Sequence, residues 1–457
     1  MSKPDLKRGA QLTVEVTDLA FPGRGVAKID GLVTFVDGGL PGDTVEVEIT
    51  RRRRRHLEGR VTRILQPSPF RVKPRCLHFG RCGGCRLQDL AYEKQLEFKA
   101  SQVKNHLLRI GGLKDPGELP IIPCEPNYGY RNKMEFAFGK DSAGRLKIGL
   151  HSRGTYWDVF DLQECHLPSP SFARIVEVTR TYFAGTANEP YDPVKHTGFL
   201  RFLVIRQGQN TGQLLVNLVT AEGELSDPAR WAAALCEAVP GITTVLRTIN
   251  TGRANVAVGE PTDTWHGAGT FTEQLGGFEF TLGPLSFFQT NTRQAEKLFA
   301  QAIQYAKLTP KDRVLDLYSG AGAISLFAAR EARAVTGVEL FAEAVTAAKE
   351  AAVKNNAGNC EFVCSDARAF LKKQVSDAAH YDVVITDPPR VGLHPKVIKR
   401  IVELAPPKIV YVSCNPSTLA RDLGLLCATR YRLMEITAVD MFPHTPHIEA
   451  VALLQIA

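Results

Sequence analysis

No run of apolar residues in this chain of 457 approaches the ~20 needed to cross a bilayer as a helix, so a soluble protein is expected. The opening MSKPDLKRGA lacks the apolar stretch and small-residue cleavage site of a secretory leader. The ten cysteines are therefore expected in a reducing, cytoplasmic setting, where structural disulfides are rare. Internal repeats and low-complexity tracts are also missing, which removes solenoids and flexible arrays. Acidic residues are scarce in one place: from Arg51 to Arg75, Glu58 stands alone against Arg51, Arg52, Arg53, Arg54, Arg55, Arg60, Arg63, Arg71, Lys73 and Arg75. Solvated faces ordinarily mix signs, so a stretch this one-sided is expected to meet phosphates.

What is present is a globular chain. Hydrophobic residues at 44% and charged residues at 23% match soluble domains, and the length calls for two to four of them. Lys and Arg number 56 against 48 Asp and Glu, a net charge of +8 that favours a polyanionic partner. Over residues 1–67 the runs QLTVEVTDLA, GVAKIDGLVTFV, DTVEVEI and EGRVTRIL alternate in polarity between the turns PGRG, DGGLPGD and the arginine run. They are expected to form a small OB-like β-barrel of the kind that binds oligonucleotides. Residues 68–285 open with Pro69 and Pro74 and a cysteine cluster. A long helix through LAYEKQLEFKASQVKNHLLRIGG follows, stopped by Gly111 and Gly112, and then a β-rich stretch of KMEFAFGK, LKIGLHSR, YWDVFDL, LRFLVIRQG, GQLLVNLVT, TTVLRTINT and FEFTLG. In YRNKMEF, Arg131 and Lys133 are RNA contacts or plain surface cations. Residues 286–457 alternate strand and helix, the pattern of an α/β, doubly wound, Rossmann-like parallel sheet.

That sheet carries marks at successive strand ends, where open α/β sheets bind ligands. RVLDLYSGAGAISL ends a strand near Ser319 and turns through Gly320 and Gly322 into a helix, letting a ligand approach backbone. AVTGVEL ends in Glu339, able to accept both ribose hydroxyls of a nucleoside. CEFVCSDARAF places Asp366 for an adenine amino group, and YDVVITDPPR ends in Asp387. With no GxGxxG finger for a pyrophosphate, S-adenosylmethionine fits better than a dinucleotide.

KIVYVSCNP sets Cys414 at the end of a β-branched strand beside the same crevice. A free cysteine is most often a small buried hydrophobe. Beside a methyl donor it has a use, because a thiolate added to carbon 6 of uracil makes carbon 5 nucleophilic. The carbon 5 proton must then leave, and VDMFPHTPHIEAVALL offers Glu449 at the start of a final strand, with His444 and His447 as lesser candidates.

Together, DLYSGAG, GVEL, TDPPR, SCNP and DMFPHTPHIE resemble the uracil-5 RNA methyltransferases, with an N-terminal segment similar to a TRAM domain. The resemblance spans the chain. It implies Cys414 as nucleophile and Glu449 as base. It also implies Gln289 in SFFQTN, Tyr318, Glu339 and Asp387 as S-adenosylmethionine ligands, with Asp366 a further contact. Ala323 departs from the Asn or Thr that family members often carry, so no side-chain bond to the cofactor is expected there.

CLHFGRCGGC sets Cys76, Cys82 and Cys85 as CxxxxxCxxC, three thiols in a turn-forming stretch that reads as a metal site for zinc or an iron-sulfur cluster. Cys124 and Cys165 are the nearest fourth ligands. The resemblance, through DLQECHL, implies Cys165 and a [4Fe-4S] cluster. Its spacing is not the CxxxCxxC of radical S-adenosylmethionine enzymes, so a structural or RNA-positioning cluster is expected. An amino-methyltransferase is a rival reading, but its Asn-Pro-Pro-Tyr type loop is replaced here by Asp387, Pro388, Pro389 and Arg390. A non-catalytic RNA-binding factor is a second rival, opposed by the intact Cys414, Glu449 and cofactor marks. Members that combine barrel and cysteines most resemble 23S ribosomal RNA enzymes, with transfer RNA as the alternative substrate. A monomer is expected.

Overall fold

The computed structural model of the protein describes residues 6–457. Residues 1–5, where the expected barrel unit begins and which form part of the leader reading, lie outside the described residues.

The barrel strands run in the order Gln11–Glu15, Thr44–Arg52, His56–Gln66, Leu32–Asp37, Arg24–Ile29, Asp18–Ala20. All neighbours are antiparallel except the parallel pair Leu32–Asp37 with His56–Gln66. Alternation decides which side chains go in: Val45, Val47 and Ile49 are fully buried, and they pack on Val16, Ala27, Val36 and Leu57. The Thr17 amide donates to the Val26 carbonyl at 2.8 Å, carrying the end of the first strand onto Arg24–Ile29 and curling the sheet.

The helix Tyr92–Arg109 follows, and Gln95, Lys99, Gln102, Val103 and Leu107 form its buried face. A second sheet has the order Glu260–His266, Ile242–Ile249, Leu214–Thr220, Leu200–Gln207, Lys133–Lys140, Leu146–Gly149. Helices Pro170–Ala184 and Pro228–Ala238 supply Phe172, Phe183 and Trp231 to its core. The expected strand YWDVFDL does not form. Its end runs beside Leu146–Gly149, where the Leu162 amide donates to Ile148 at 3.0 Å, but Tyr156 and Trp157 turn out to solvent.

The third sheet has the order Cys360–Cys364, Ala334–Glu339, Arg313–Leu317, Val383–Thr386, Lys408–Ser413, Glu449–Ile456, Tyr431–Val439, Ile121–Ile122. The first five strands are mutually parallel, and Glu449–Ile456 is antiparallel to both of its neighbours. This is a doubly wound α/β sheet whose helices cover both faces. Ile409 and Tyr411 pack on one face while Val410 and Val412 pack on the other, so strands covered by helices on both sides read as continuous apolar runs. The hairpin Phe271–Leu275 and Phe278–Leu282 turns through Gly276 and Gly277, both at positive φ, and adds its phenylalanines to the same core. Among the described residues no helix is long and apolar enough to cross a membrane.

Candidate active site

The strand Arg313–Leu317 ends one residue before Tyr318, which takes φ +64°. That is a costly conformation for a bulky residue, and such strain collects at functional sites. Two bonds hold it, from the Tyr318 and Ser319 amides to the Val338 carbonyl at 2.9 and 3.1 Å. A Cβ at Gly322 would come within 2.8 Å of Phe362, whereas one at Gly320 would meet only open space. The loop is thus tight against the sheet on one side and clear on the other. Glu339 orients toward it, accepting from the Gly320 amide at 3.0 Å and, through its other oxygen, from Leu340 and Phe341 at 2.7 and 3.1 Å. Leu340 and Phe341 are themselves 57% and 65% exposed, an apolar wall that sequence reading missed. A carboxylate with free lone pairs, backbone without side-chain cover and an apolar wall suit the nucleoside of S-adenosylmethionine.

The other expected ligands are less uniform. Burial pushes the Asp387 carboxyl up to about 7. Gln289 is half-buried, and its carbonyl receives the Asn132 side chain at 2.9 Å, which ties the loop to the second sheet. Phe287, two residues earlier, is 77% exposed and offers a ring to a base. Asp366 is already engaged: it caps the helix Ala367–Ser376 through the Arg368 and Ala369 amides and pairs with the Arg368 guanidinium at 3.0 Å.

Ser413 and Ala450 are register partners, so Cys414 and Glu449 are the next pair beyond that ladder. Asn415 fixes the turn after Cys414. It caps the helix Pro416–Cys427 and donates to the Arg390 carbonyl at 2.9 Å. Burial, then the Glu449 and Asp387 carboxylates, push the Cys414 thiol up to about 11, while Arg390 pulls it down. Burial and Asp387 hold Glu449 well above the usual carboxylate range, again opposed by Arg390. The TDPPR motif alone suggested no role for Arg390. Its loss should slow iodoacetamide labelling of Cys414 at pH 8, whereas Glu449→Gln should speed it severalfold. Peptide mass mapping reads both, and equal rates in all three proteins would dissolve this electrostatic picture.

The loop carrying Glu449 is clamped from beneath. Lys99 and Asp440 are fully buried and paired at 2.6 Å, Tyr92 donates to Asp440 at 2.8 Å, and Lys99 also donates to the Phe442 carbonyl at 3.1 Å. His444 takes φ +65°, stacks on Tyr128 at 4.2 Å and accepts at its carbonyl from the Arg86 and Leu87 amides. Lys99→Ala leaves Asp440 buried without its cation, and a loss of about 3–5 kcal/mol is expected in urea unfolding. A change under 1 kcal/mol, roughly the value of an exposed pair, would count against the clamp.

No three His, Cys, Asp or Glu side chains among the described residues are placed to hold a metal ion. Cys76, Cys82, Cys85 and Cys165 do line one cavity of about 450 Å³, whereas Cys124 is buried elsewhere, accepting from Asn291 at 3.3 Å. Burial pushes Cys85 up to about 12 and Cys165 up to about 11, and neighbouring thiols raise both further.

Residues 277–457 match the tRNA (Uracil-5-)-methyltransferase family, and residues 5–62 match the TRAM domain. An RNA methyltransferase of Nitratidesulfovibrio vulgaris, described as uncharacterized, is 41% identical over 98% of this chain and 96% of its own. One of Caldanaerobacter subterraneus, similarly described, is 39% identical over 98% and 99%. The crystal structure of Pyrococcus abyssi tRNA (uracil-54, C5)-methyltransferase with S-adenosyl-L-homocysteine is 33% identical, covers 96% of this chain and 99% of that one, and superposes with a TM-score of 0.79. The chain belongs to the RNA uracil-5 methyltransferase family. It is an S-adenosylmethionine-dependent enzyme that carries an RNA-binding TRAM domain.

In an RNA methyltransferase the basic stretch acquires a purpose, and the fold sorts its members. Arg51 to Arg55, all exposed, cover the end of Thr44–Arg52 and the turn into His56–Gln66. Arg71 is different: it is spent within the protein, bonded to Asp43 at 2.6 Å, Asp89 at 2.7 Å and the Gly38 carbonyl at 2.7 Å. Arg60 pairs with Glu48 at 2.9 Å. Replacing Arg51 to Arg55 by Ala should lower the slope of log affinity for RNA against log salt by about 0.7–0.9 for each phosphate no longer neutralised. An unchanged slope in filter binding would take the turn out of the interface.

Proposed function

We propose that the enzyme forms 5-methyluridine in 23S ribosomal RNA through a covalent adduct between Cys414 and carbon 6 of the target uracil. The observation that supports the covalent route is the convergence of Cys414, Glu449 and Asp387 at neighbouring strand ends, with each carboxylate acting on the thiol. In this reading residues 1–67 hold RNA, residues 68–285 support it beside the cysteine cavity, and residues 286–457 carry the chemistry.

The Cys414 thiolate adds to carbon 6, and the electron pair of the C5=C6 bond moves toward carbon 5 and oxygen 4. Arg390 favours the thiolate against the two carboxylates. Carbon 5 then takes the electrophilic methyl group that bound S-adenosylmethionine would supply, its methyl–sulfur bond breaking to leave S-adenosylhomocysteine. Gln289, Tyr318, Glu339 and Asp387 would hold that donor, with Asp366 contributing through the helix it caps. Glu449 takes the carbon 5 proton, the freed pair re-forms the C5=C6 bond, and the carbon–sulfur bond breaks to return Cys414. Glu449 is suited to this step because its raised affinity for a proton makes it a stronger base than an ordinary carboxylate.

Cys76, Cys82, Cys85 and Cys165 are proposed to hold a [4Fe-4S] cluster. What supports this reading is that all four thiols line one cavity. The cluster's cationic iron would reverse the mutual opposition of the thiolates and tie the segment before Arg86 to the central sheet. Protein purified without oxygen should be brown, with iron and sulfide near about four each. A colourless protein with one zinc would overturn the assignment.

A second reading is a transfer RNA substrate, supported by the full-length likeness to the Pyrococcus abyssi enzyme. Labelled methyl transfer to unmodified 23S and transfer RNA, with the product mapped by mass, separates the two. Label in neither RNA removes both readings.

A further inference from the structure

The turn joining strands Asp18–Ala20 and Arg24–Ile29 lies at the catalytic mouth, not on the far side of the barrel. Its tip, Phe21, meets the His447 ring edge-on, with centroids 5.8 Å apart. His447 stands two residues before Glu449. Phe21 is nevertheless 53% exposed, so about half of it is open to solvent.

The turn is anchored rather than loosely draped. Gly23 takes φ +83°, a left-handed conformation that favours glycine, and Arg86 donates to the Pro22 carbonyl at 3.4 Å. Leu87 and Leu90 pack with Leu19 and Leu40 of the barrel, and Arg153 reaches Asp37 at 3.0 Å. Arg86 and Leu87 are also the residues whose amides grip the His444 carbonyl. Barrel turn and catalytic loop are therefore held by one segment. The electrostatics suit a nucleotide: Arg390, Lys99, Arg131 and Arg86 all oppose a positive charge on His447, so the potential at this corner is positive.

An exposed aromatic ring, rigidly placed beside a cationic corner, is a stacking surface for a base whose phosphates meet the arginines. We propose that Phe21 is a nucleobase platform on which a nucleotide flanking the methylated uridine stacks, so that the barrel reads substrate at the catalytic mouth. This rests on the assignment of Cys414 and Glu449 as the catalytic pair. A residue placed only to pack on His447 would need bulk, whereas a platform needs a flat π face.

Phe21→Leu keeps bulk without the ring, and Phe21→Trp keeps the ring. With the RNA that accepts label, carrying 2-aminopurine at nucleotides flanking the target, wild type and Phe21→Trp should quench fluorescence at one position, and Phe21→Leu should not. Phe21→Leu should also raise KM for RNA about fivefold or more, the scale of unstacking one base, with kcat and S-adenosylhomocysteine affinity little changed. Equal quenching and equal KM in Phe21→Leu would overturn the platform. Cys414→Ala in parallel separates the failures: if it still methylates, the catalytic reading falls, whereas a dead Cys414→Ala beside an unaffected Phe21→Leu removes only Phe21's role.

Discussion

Replacing Cys414 by alanine is expected to lower methyl transfer to RNA by on the order of 10⁴-fold or more, the scale of losing an essential nucleophile. Without addition at carbon 6, carbon 5 of uracil does not attack a sulfonium, and a water in place of the thiol is far weaker. Serine should not rescue, because its hydroxyl is less readily ionised in a corner that already opposes negative charge. The substitution should leave the fold and S-adenosylhomocysteine binding intact, since the thiol is half-buried at a strand end and is not part of a packed layer. RNA carrying 5-fluorouridine, which has no carbon 5 proton to surrender, should trap wild type as a denaturation-resistant adduct and fail to trap the alanine variant. With the thiol pushed up to about 11, the rate of Cys414 alkylation in free enzyme should climb about tenfold per pH unit from pH 6 to 9. Retention of more than a few per cent of activity by Cys414→Ala would end the covalent mechanism.

The sequence made the α/β sheet readable because its strands are buried on both faces, so RVLDL, VVIT and KIVYVS announce themselves without alternation. Barrel alternation was equally clear in TVEVEI. Order along the chain also carried Cys414 and Glu449, whose strands prove to be neighbours. What stayed hidden depends on contacts between distant segments. Lys99 sits on the buried face of an amphipathic helix, where periodicity would put a cation outward, and only Asp440 explains it. Arg71 counted as one of a basic run although Asp43 and Asp89 neutralise it. Asp366 kept its predicted strand-end position but serves as a helix cap, a role that Asp two residues before Arg368 could have suggested. Phe21 reads as a turn residue until the barrel is docked beside His447. YWDVFDL has strand composition, yet its aromatic start is exposed.

Glu449→Gln is expected to cut turnover by about 10³-fold, within the range for losing a positioned general base. Glutamine keeps the shape but cannot take the carbon 5 proton. The first methyl should still be transferred, so a methylated RNA–protein adduct should accumulate on Cys414 and appear by mass. Neither nearby histidine is a substitute. His447 is pushed down to about 4 by burial and by Arg390, Lys99, Arg131 and Arg86, so imidazolium is disfavoured there. His444 has its Nδ1 3.3 Å from Gln95 and its ring against Tyr128. Stability should move the opposite way. The folded protein holds the Glu449 proton more tightly than the unfolded chain does. That preference helps the fold only at acid pH and turns into a penalty as pH rises above the unfolded carboxyl value toward the folded one. Glu449→Gln should therefore melt at a higher temperature than wild type at pH 8, with the gap closing near pH 4. Full turnover with no adduct would assign the proton to another base, and a lower Tm at pH 8 would mean that the buried carboxylate has a partner in the fold.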